Sequence, residues 1–267
     1  MISFQERYRR EHNRWYKAVL RWQWRRAGLD APIVLMVHGF MPSMEQCSSA
    51  FQLTALSFEK LLSYLIANGW SALTYEELRS KLYKGNLKRK EFHLTFDDVY
   101  DTVYTEALPI LEKLQIPFTI FVTKNLVGAQ DAKDGRKMIT LEHLQELLKS
   151  PLCNVGCHGI DHVKFRKYTD SEMRMACAEN KQWLIDEFGI ISSCFAFPYG
   201  RWQEVARRNI RCLADCGFSV GFSALEGTLL SADFTGRHFL PRVNVSETFV
   251  EKFTSGKPLK WKDCEGR

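Results

Sequence analysis

Phe92-His93-Leu94-Thr95-Phe96-Asp97-Asp98 is a short run of strand formers that ends on two adjacent carboxylates. A helical pattern opens near residue 102 and holds to about 115, with Pro109 inside it as a predicted kink. The same unit recurs on either side: an apolar run, a polar junction, a helix. Strand candidates are Ile33–Val37 before it, and Phe118–Thr123, Asn154–Cys157, Cys194–Phe197, Phe218–Phe222 and Phe239–Val243 after it. Further helices are predicted at about 57–68, 140–149, 170–188, 201–215 and 246–254. Ser57, Thr140, Asp170 and Ser246 are N-cap types near the starts, and Gly69 and Gly189 follow two of the ends. Strand–helix alternation repeated about seven times means a parallel sheet. It is either an open doubly wound sheet or a closed or nearly closed β/α barrel. No GxGxxG follows an early strand and no P-loop is present, which argues against a nucleotide-binding sheet. Residues 124–139 form a long polar stretch, of the kind that often carries function.

With 267 residues, 45% of them hydrophobic, the chain can bury a sizeable core. Its net charge of +6 is unevenly placed. Residues 1–30 hold eight Lys/Arg and three Asp/Glu, and the other 237 hold 29 and 28. A near-neutral body argues against nucleic acid as a partner. On a helix, Phe4, Tyr8, Trp15, Val19 and Trp22 fall in one stripe, with Arg10, Arg14, Lys17, Arg21 and Arg25 opposite. Such a basic amphipathic helix over residues 1–26 either lies on an anionic membrane surface or packs on the body of the protein. The expected organisation is this helix over 1–30, a (β/α) barrel domain over 31–254 and a polar tail over 255–267. No run approaches a membrane span, and no apolar segment follows the N-terminal basic residues as in a secretory signal. The expected location is therefore cytoplasmic, with peripheral membrane contact through the N-terminal helix as the alternative. Eight cysteines, including Cys153/Cys157 and Cys212/Cys216 spaced by four, lack CxxC spacing and read as reduced thiols.

Ionisable residues collect where the candidate strands end. The first strand runs into His38, the second into Asp97-Asp98, the fourth into His158 with His162 four residues on. The fifth meets Pro198-Tyr199-Gly200, and the seventh carries Arg242. In β/α barrels the C-terminal strand ends build the active site. One carboxylate and two imidazoles suit Zn²⁺, and also Co²⁺, Ni²⁺ or Mn²⁺, with positions left open for water and substrate. His158 and His162 could face one ion if a helical turn follows the strand. Alone, the HxxxH spacing is weak, and the Asp pair could equally cap the next helix. His12, His93 and His143 lie outside the constellation and read as structural or surface residues.

Three motifs in order carry a resemblance. Leu94-Thr95-Phe96-Asp97-Asp98 resembles the first motif of the polysaccharide deacetylases, carbohydrate esterase family four, the NodB-homology proteins. His158-Gly159-Ile160-Asp161-His162 resembles their metal-binding motif, and Phe195-Ala196-Phe197-Pro198-Tyr199-Gly200 their third. The resemblance covers about residues 32–245 and implies a distorted, seven-stranded (β/α) barrel. It implies Asp97 as general base, and Asp98, His158 and His162 as ligands of one divalent metal, zinc first. It implies the Tyr199 backbone N–H as an oxyanion donor, with Pro198 and Gly200 shaping the same substrate-binding turn.

The sequence also departs from the family pattern. The late Leu-x-His acid is missing, and His238 sits at the wrong end of its strand. His38, in Met36-Val37-His38-Gly39, resembles the acid on the first strand in the branch that deacetylates poly-N-acetylglucosamine. Val99 replaces the usual glycine after the aspartates and should alter that turn. The arginine that usually orients the base is absent from the third motif, and Arg242 could supply it. The fourth motif has no match, and Trp202 is not assigned to it. The implied function is metal-dependent removal of N-acetyl groups from a carbohydrate: an N-acetylated sugar, a polysaccharide or a lipid-linked glycan intermediate. Alternatives are O-deacetylation, hydrolysis of another C–N bond, and an inactive glycan- or membrane-binding barrel.

Overall fold

The computed structural model describes residues 30–47, 51–129, 136–231, 236–257 and 259–264, together with Ala18, Trp22 and Gly28. The expected N-terminal amphipathic helix otherwise lies outside the described residues, as does His12. Among the described residues eight parallel strands occur: β1 (Ile33–Val37), β2 (Ser71–Ala72), β3 (Glu91–Asp97), β4 (Phe118–Val122), β5 (Cys153–Cys157), β6 (Cys194–Ala196), β7 (Val220–Glu226) and β8 (Leu240–Asn244). Seven of them close a barrel in the order β1-β3-β4-β5-β6-β7-β8, with Ile33 opposite Phe92 and Leu35 opposite Val243 at the seam. The extra strand, β2, pairs only with Glu91 and Phe92 at the start of β3. The helices are α1 (Ala55–Ala67), α2 (Tyr75–Lys84), α3 (Leu108–Leu114), α4 (Leu141–Leu147), α5 (Asp170–Phe188), α6 (Arg207–Asp215) and α7 (Glu247–Thr254). None of the described helices is long and apolar enough to cross a membrane.

The two-residue period of a strand explains the core. On β3, Phe92, Leu94 and Phe96 face out into the cluster shared with the helices. His93, Thr95 and Asp97 therefore face into the barrel, one above another. Val34, Phe121, Ala196, Phe222 and Leu240 form the apolar part of that interior. Phe121 reaches across because β5 has glycine beside it, where a Cβ on Gly156 would lie 2.3 Å from its ring. Each such buried phenylalanine contributes roughly 2–3 kcal/mol of burial free energy. The low interior is closed by neutral His93, bonded to the Leu73 carbonyl (2.8 Å) and to Thr119 Oγ1 (3.0 Å).

Several local expectations need correction. The segment read as one helix over 102–115 is a π-helical turn, Val103–Ala107, running into α3. Pro109 has no N–H to give to residue 105, and the wider turn absorbs the missing bond. Helix α1 is capped by Thr54, not Ser57, because Ser57 N–H is itself the donor to Thr54 Oγ1. Likewise Thr169, in a capping box with Glu172, precedes Asp170 as the cap of α5. Helix α2 was not anticipated, although Thr74 and Glu77 form a capping box that the sequence displays. Helix α6 begins at Arg207 rather than 201, since Asn209 Oδ1 accepts from Ala206 N–H and fixes the start there. In the stretch read as a polar tail, Trp261–Cys264 make a 3₁₀ turn; Cys264 is buried and Asp263 pairs with Lys252 at 2.7 Å.

Candidate active site

Asp97 is the last residue of β3 and points inward by the strand's own period. Continued alternation would send Asp98 outward. The chain instead turns left-handed at Asp98 (φ +65°) and Val99 (φ +58°), with Val99 N–H bonded to the Asp97 carbonyl at 2.7 Å. This tight turn swings Asp98 back over the barrel mouth. Left-handed backbone at a β-branched residue is strained. Full burial of Val99 offsets that strain, so a glycine-type turn persists without glycine.

His158 follows β5, and its Nδ1–H donates to the Ala196 carbonyl at 2.7 Å, leaving Nε2 for the cavity. That tautomer and orientation are what a metal-binding imidazole needs. No helical turn links it to His162; an irregular loop does so, with Gly159 at φ +85° and His162 at φ +50°. Buried Asn180 of α5 holds this loop by accepting from Gly159 N–H at 3.1 Å. Asp98 Oδ1 then lies 3.4 Å from His158 Nε2 and 3.1 Å from His162 Nε2. The three ligand atoms fall within 4.8 Å of one another, yet Asp98 Oδ1 is buried without a directed hydrogen bond. Three converging lone-pair donors with no proton suitably placed among them fit a divalent cation. Burial works against charge on Asp98, but the close imidazoles of His158 and His162 outweigh it and hold the carboxyl ionised.

Arg242 joins the site from β8. Its guanidinium grips Asp97 through both oxygens, Nη1 to Oδ1 at 2.7 Å and Nη2 to Oδ2 at 2.6 Å. Nε donates to the Ser223 carbonyl (2.7 Å) and Nη1 to Thr95 Oγ1 (3.2 Å), which locks the fork in the barrel. Burial pushes the Asp97 carboxyl up, but Arg242, then His158, hold it below its ordinary value of 3.8. His158 is raised: Asp97 and Asp98 outweigh its burial. His162 is lowered, chiefly by burial.

His38, just past β1, packs edge-on against Phe51 with ring centroids 4.7 Å apart, and its Nδ1 is buried without a hydrogen-bond partner. Burial pushes its imidazole down to about 4 against the pull of Asp97 and Asp98. A cavity of about 280 Å³ collects His38, Asp97, Asp98, His158, His162 and Tyr199 on its walls. Tyr199 is left-handed (φ +61°) and half exposed, its ring 4.7 Å from that of His162. Pro198 and Gly200 are buried behind it and do not line the cavity. Gly200 (φ +53°) allows the close approach there, since a Cβ would lie 2.4 Å from Ala224 N.

The residues read as bystanders lie apart from the cavity. His93 is in the barrel interior, His143 pairs with Asp101 at 2.6 Å, His238 binds the Phe218 carbonyl, and Trp202 packs on Phe239. Sequence reasoning missed Phe51, Tyr100 and Arg136 in the cavity wall, where the Arg136 guanidinium lies 3.8 Å above the Tyr100 ring. Only Arg136 carried a signal, through its place in the long 124–139 stretch.

The polysaccharide deacetylase family profile matches residues 84–219, just over half of the chain. Over 209 residues the chain is 24% identical to a poly-β-1,6-N-acetyl-D-glucosamine N-deacetylase of Staphylococcus aureus, covering 75% of this chain and 70% of that one. Among solved structures it is similar to IcaB from Ammonifex degensii, with TM-score 0.71 and 26% identity over 85% of this chain and 96% of the other. The Streptococcus pyogenes deacetylase PplD, solved in complex with acetate, shares the fold at TM-score 0.72 and 21% identity, covering 86% and 99%.

Proposed function

We propose that this chain, which belongs to the polysaccharide deacetylase family, is a metal-dependent hydrolase that removes N-acetyl groups from an N-acetylated carbohydrate. One observation carries the reading: an arginine-clamped carboxylate stands in the same cavity as a proton-poor Asp/His/His cluster. Base and electrophile site are then separate groups that face one substrate. Asp98, His158 and His162 would hold the metal, with zinc as the first candidate and cobalt, nickel or manganese compatible with the same donors. When bound, it would polarise the acetamide carbonyl and activate water.

The chain's own residues do the rest. Asp97, kept ionised and aimed by Arg242, takes the proton from the attacking water. The Tyr199 backbone N–H supports the developing oxyanion. His38 protonates the departing amine, which an amide needs because its anion is too poor a leaving group. Burial keeps His38 neutral at pH 7, so the proton it delivers to the amine is the one that Asp97 took from water, handed on through His38 as the C–N bond breaks. The Staphylococcus aureus relative makes poly-β-1,6-N-acetylglucosamine the first substrate to assay, with nucleotide-linked and lipid-linked N-acetyl sugars beside it. Residues 1–30 form a separate element in this reading, docked on the barrel or on an anionic membrane. Deleting 1–26 and measuring vesicle partitioning separates the two.

The test is acetate release by protein loaded with Zn²⁺, Co²⁺ or Ni²⁺. The expected result is acetate from at least one N-acetyl glycan, with Asp97→Asn lowering kcat by about 10²–10⁴-fold and His38→Ala also impaired. Full activity in Asp97→Asn overturns the mechanism. Metal uptake with no acetate from any substrate overturns the activity.

A further inference from the structure

Three thiols that the hydrolytic site does not use meet on the outside of the barrel, between α5 and α6. Cys177 is buried on α5, Cys212 is buried on α6, and Cys216 is the partly exposed residue that caps α6. Cys212 Sγ and Cys216 Sγ lie 3.8 Å apart, and Cys177 is near enough to act on the Cys216 thiol. Two cations border the group. Arg174 Nη1 lies 3.9 Å from Cys212 Sγ, and Lys181 Nζ donates to the Cys216 carbonyl at 2.7 Å and the Gly217 carbonyl at 3.1 Å. Positive charge, thiol donors and partial access together make a reactive cysteine.

We propose that Cys216 is a peroxide-reactive thiol that closes a reversible disulfide onto one of the buried pair beside it. The division of labour follows from access: solvent reaches Cys216, while the resolving sulfurs are buried within reach of it. The Cys216 thiolate attacks one oxygen of hydrogen peroxide. The O–O bond breaks, hydroxide leaves and takes up a proton, and a sulfenic acid remains. The second thiol's sulfur then attacks Cys216 Sγ; the S–S bond forms and the hydroxyl departs as water with that thiol's proton. Two thiols lose two electrons, and one peroxide becomes two waters.

Electrostatics agree with the choice of nucleophile. The Cys216 thiol is pushed down by its neighbour Cys177, then by Cys212, with help from Lys181 and Arg174. Burial pushes Cys47, Cys153, Cys157 and Cys194 the other way. Partial exposure at Cys47 and Cys153 gives two internal controls for access without activation.

The test uses the full-length, reduced protein treated with hydrogen peroxide, quenched by alkylation under denaturing conditions, and mapped by tandem mass spectrometry. The expected product is 2 Da lighter, with Cys216 bridged to Cys212 or Cys177 and restored by dithiothreitol. Cys216 should react at least about tenfold faster than Cys47 or Cys153. Cys216→Ser should abolish the bridge, and Cys212→Ser with Cys177→Ser should leave a Cys216 sulfenic acid that dimedone traps. The proposal is overturned if wild-type Cys216 reacts no faster than Cys47 and Cys153. A bridge that forms without Cys216 overturns it equally.

Discussion

Replacing Arg242 with methionine tests how the base is held. Methionine keeps much of the side-chain volume but removes two hydrogen bonds to Asp97, one to Thr95 and one to the Ser223 carbonyl. Arg242 and Asp97 are both almost wholly buried, so neither can turn to water for compensation. Removing one partner of such a pair costs about 3–5 kcal/mol, mostly from the stranded charge. Arg242→Met should therefore lower the unfolding free energy by that amount in urea titrations at pH 7, with an unchanged m-value. Adding Asp97→Asn removes the stranded charge, so the double variant should lose less than the sum of the singles, by about 1–3 kcal/mol. Activity gives a second readout. Without Arg242, burial dominates at Asp97 and its pKa moves up. The acid limb of kcat/KM should then shift alkaline by at least about one pH unit, a tenfold loss on that limb. Lysine restores a charge but not the fork, so Arg242→Lys should fall between. A variant within about 0.5 kcal/mol of wild type and with an unmoved acid limb would refute the clamp.

Three further outcomes are expected. His158→Ala should weaken binding of Zn²⁺ at least about a hundredfold by chelator competition, and wild-type affinity in that variant would remove His158 from the ligand set. His93 is held neutral, its pKa pushed down by burial to about 4 from 6.5, so the unfolded chain binds more protons between those values. Its contribution is complete above pH 6.5 and falls away by about 3 kcal/mol as the pH drops to 4, a loss in which His38 shares, above the window below 3.8 in which Asp97 acts. Urea midpoints that stay flat from pH 6.5 to 4 would contradict this. Gly200→Ala puts a Cβ 2.4 Å from Ala224 N at φ +53° and should cost about 2–3 kcal/mol. A Tm within about one degree of wild type would show that the turn relaxes freely.

Much of the barrel was legible in the chain because alternation and turn chemistry are local. All seven barrel strands overlap the apolar runs, β7 being displaced furthest (Val220–Glu226 against the expected 218–222), and the alternating Phe92-His93-Leu94-Thr95-Phe96-Asp97 fixes which side chains enter the interior. The short β2 was not legible, because two residues of ladder leave no period to read. The residue types of the candidate site were equally local: two carboxylates, two imidazoles and an early-strand histidine, each at a strand end.

Their convergence was decided elsewhere. Period-two geometry sends Asp98 away from the cavity, and only the left-handed turn over Asp98 and Val99 returns it. A helical reading of His158 and His162 was reasonable from spacing, but Asn180, supplied by a distant helix, holds an irregular loop instead. Arg242 and Asp97 are 145 residues apart, and no periodicity encodes their pairing. It exists because closure of the ring brings β8, β1 and β3 together at one seam. Chain-local chemistry thus specified the strands and the reactive groups; ring closure and turn geometry aimed those groups at one another.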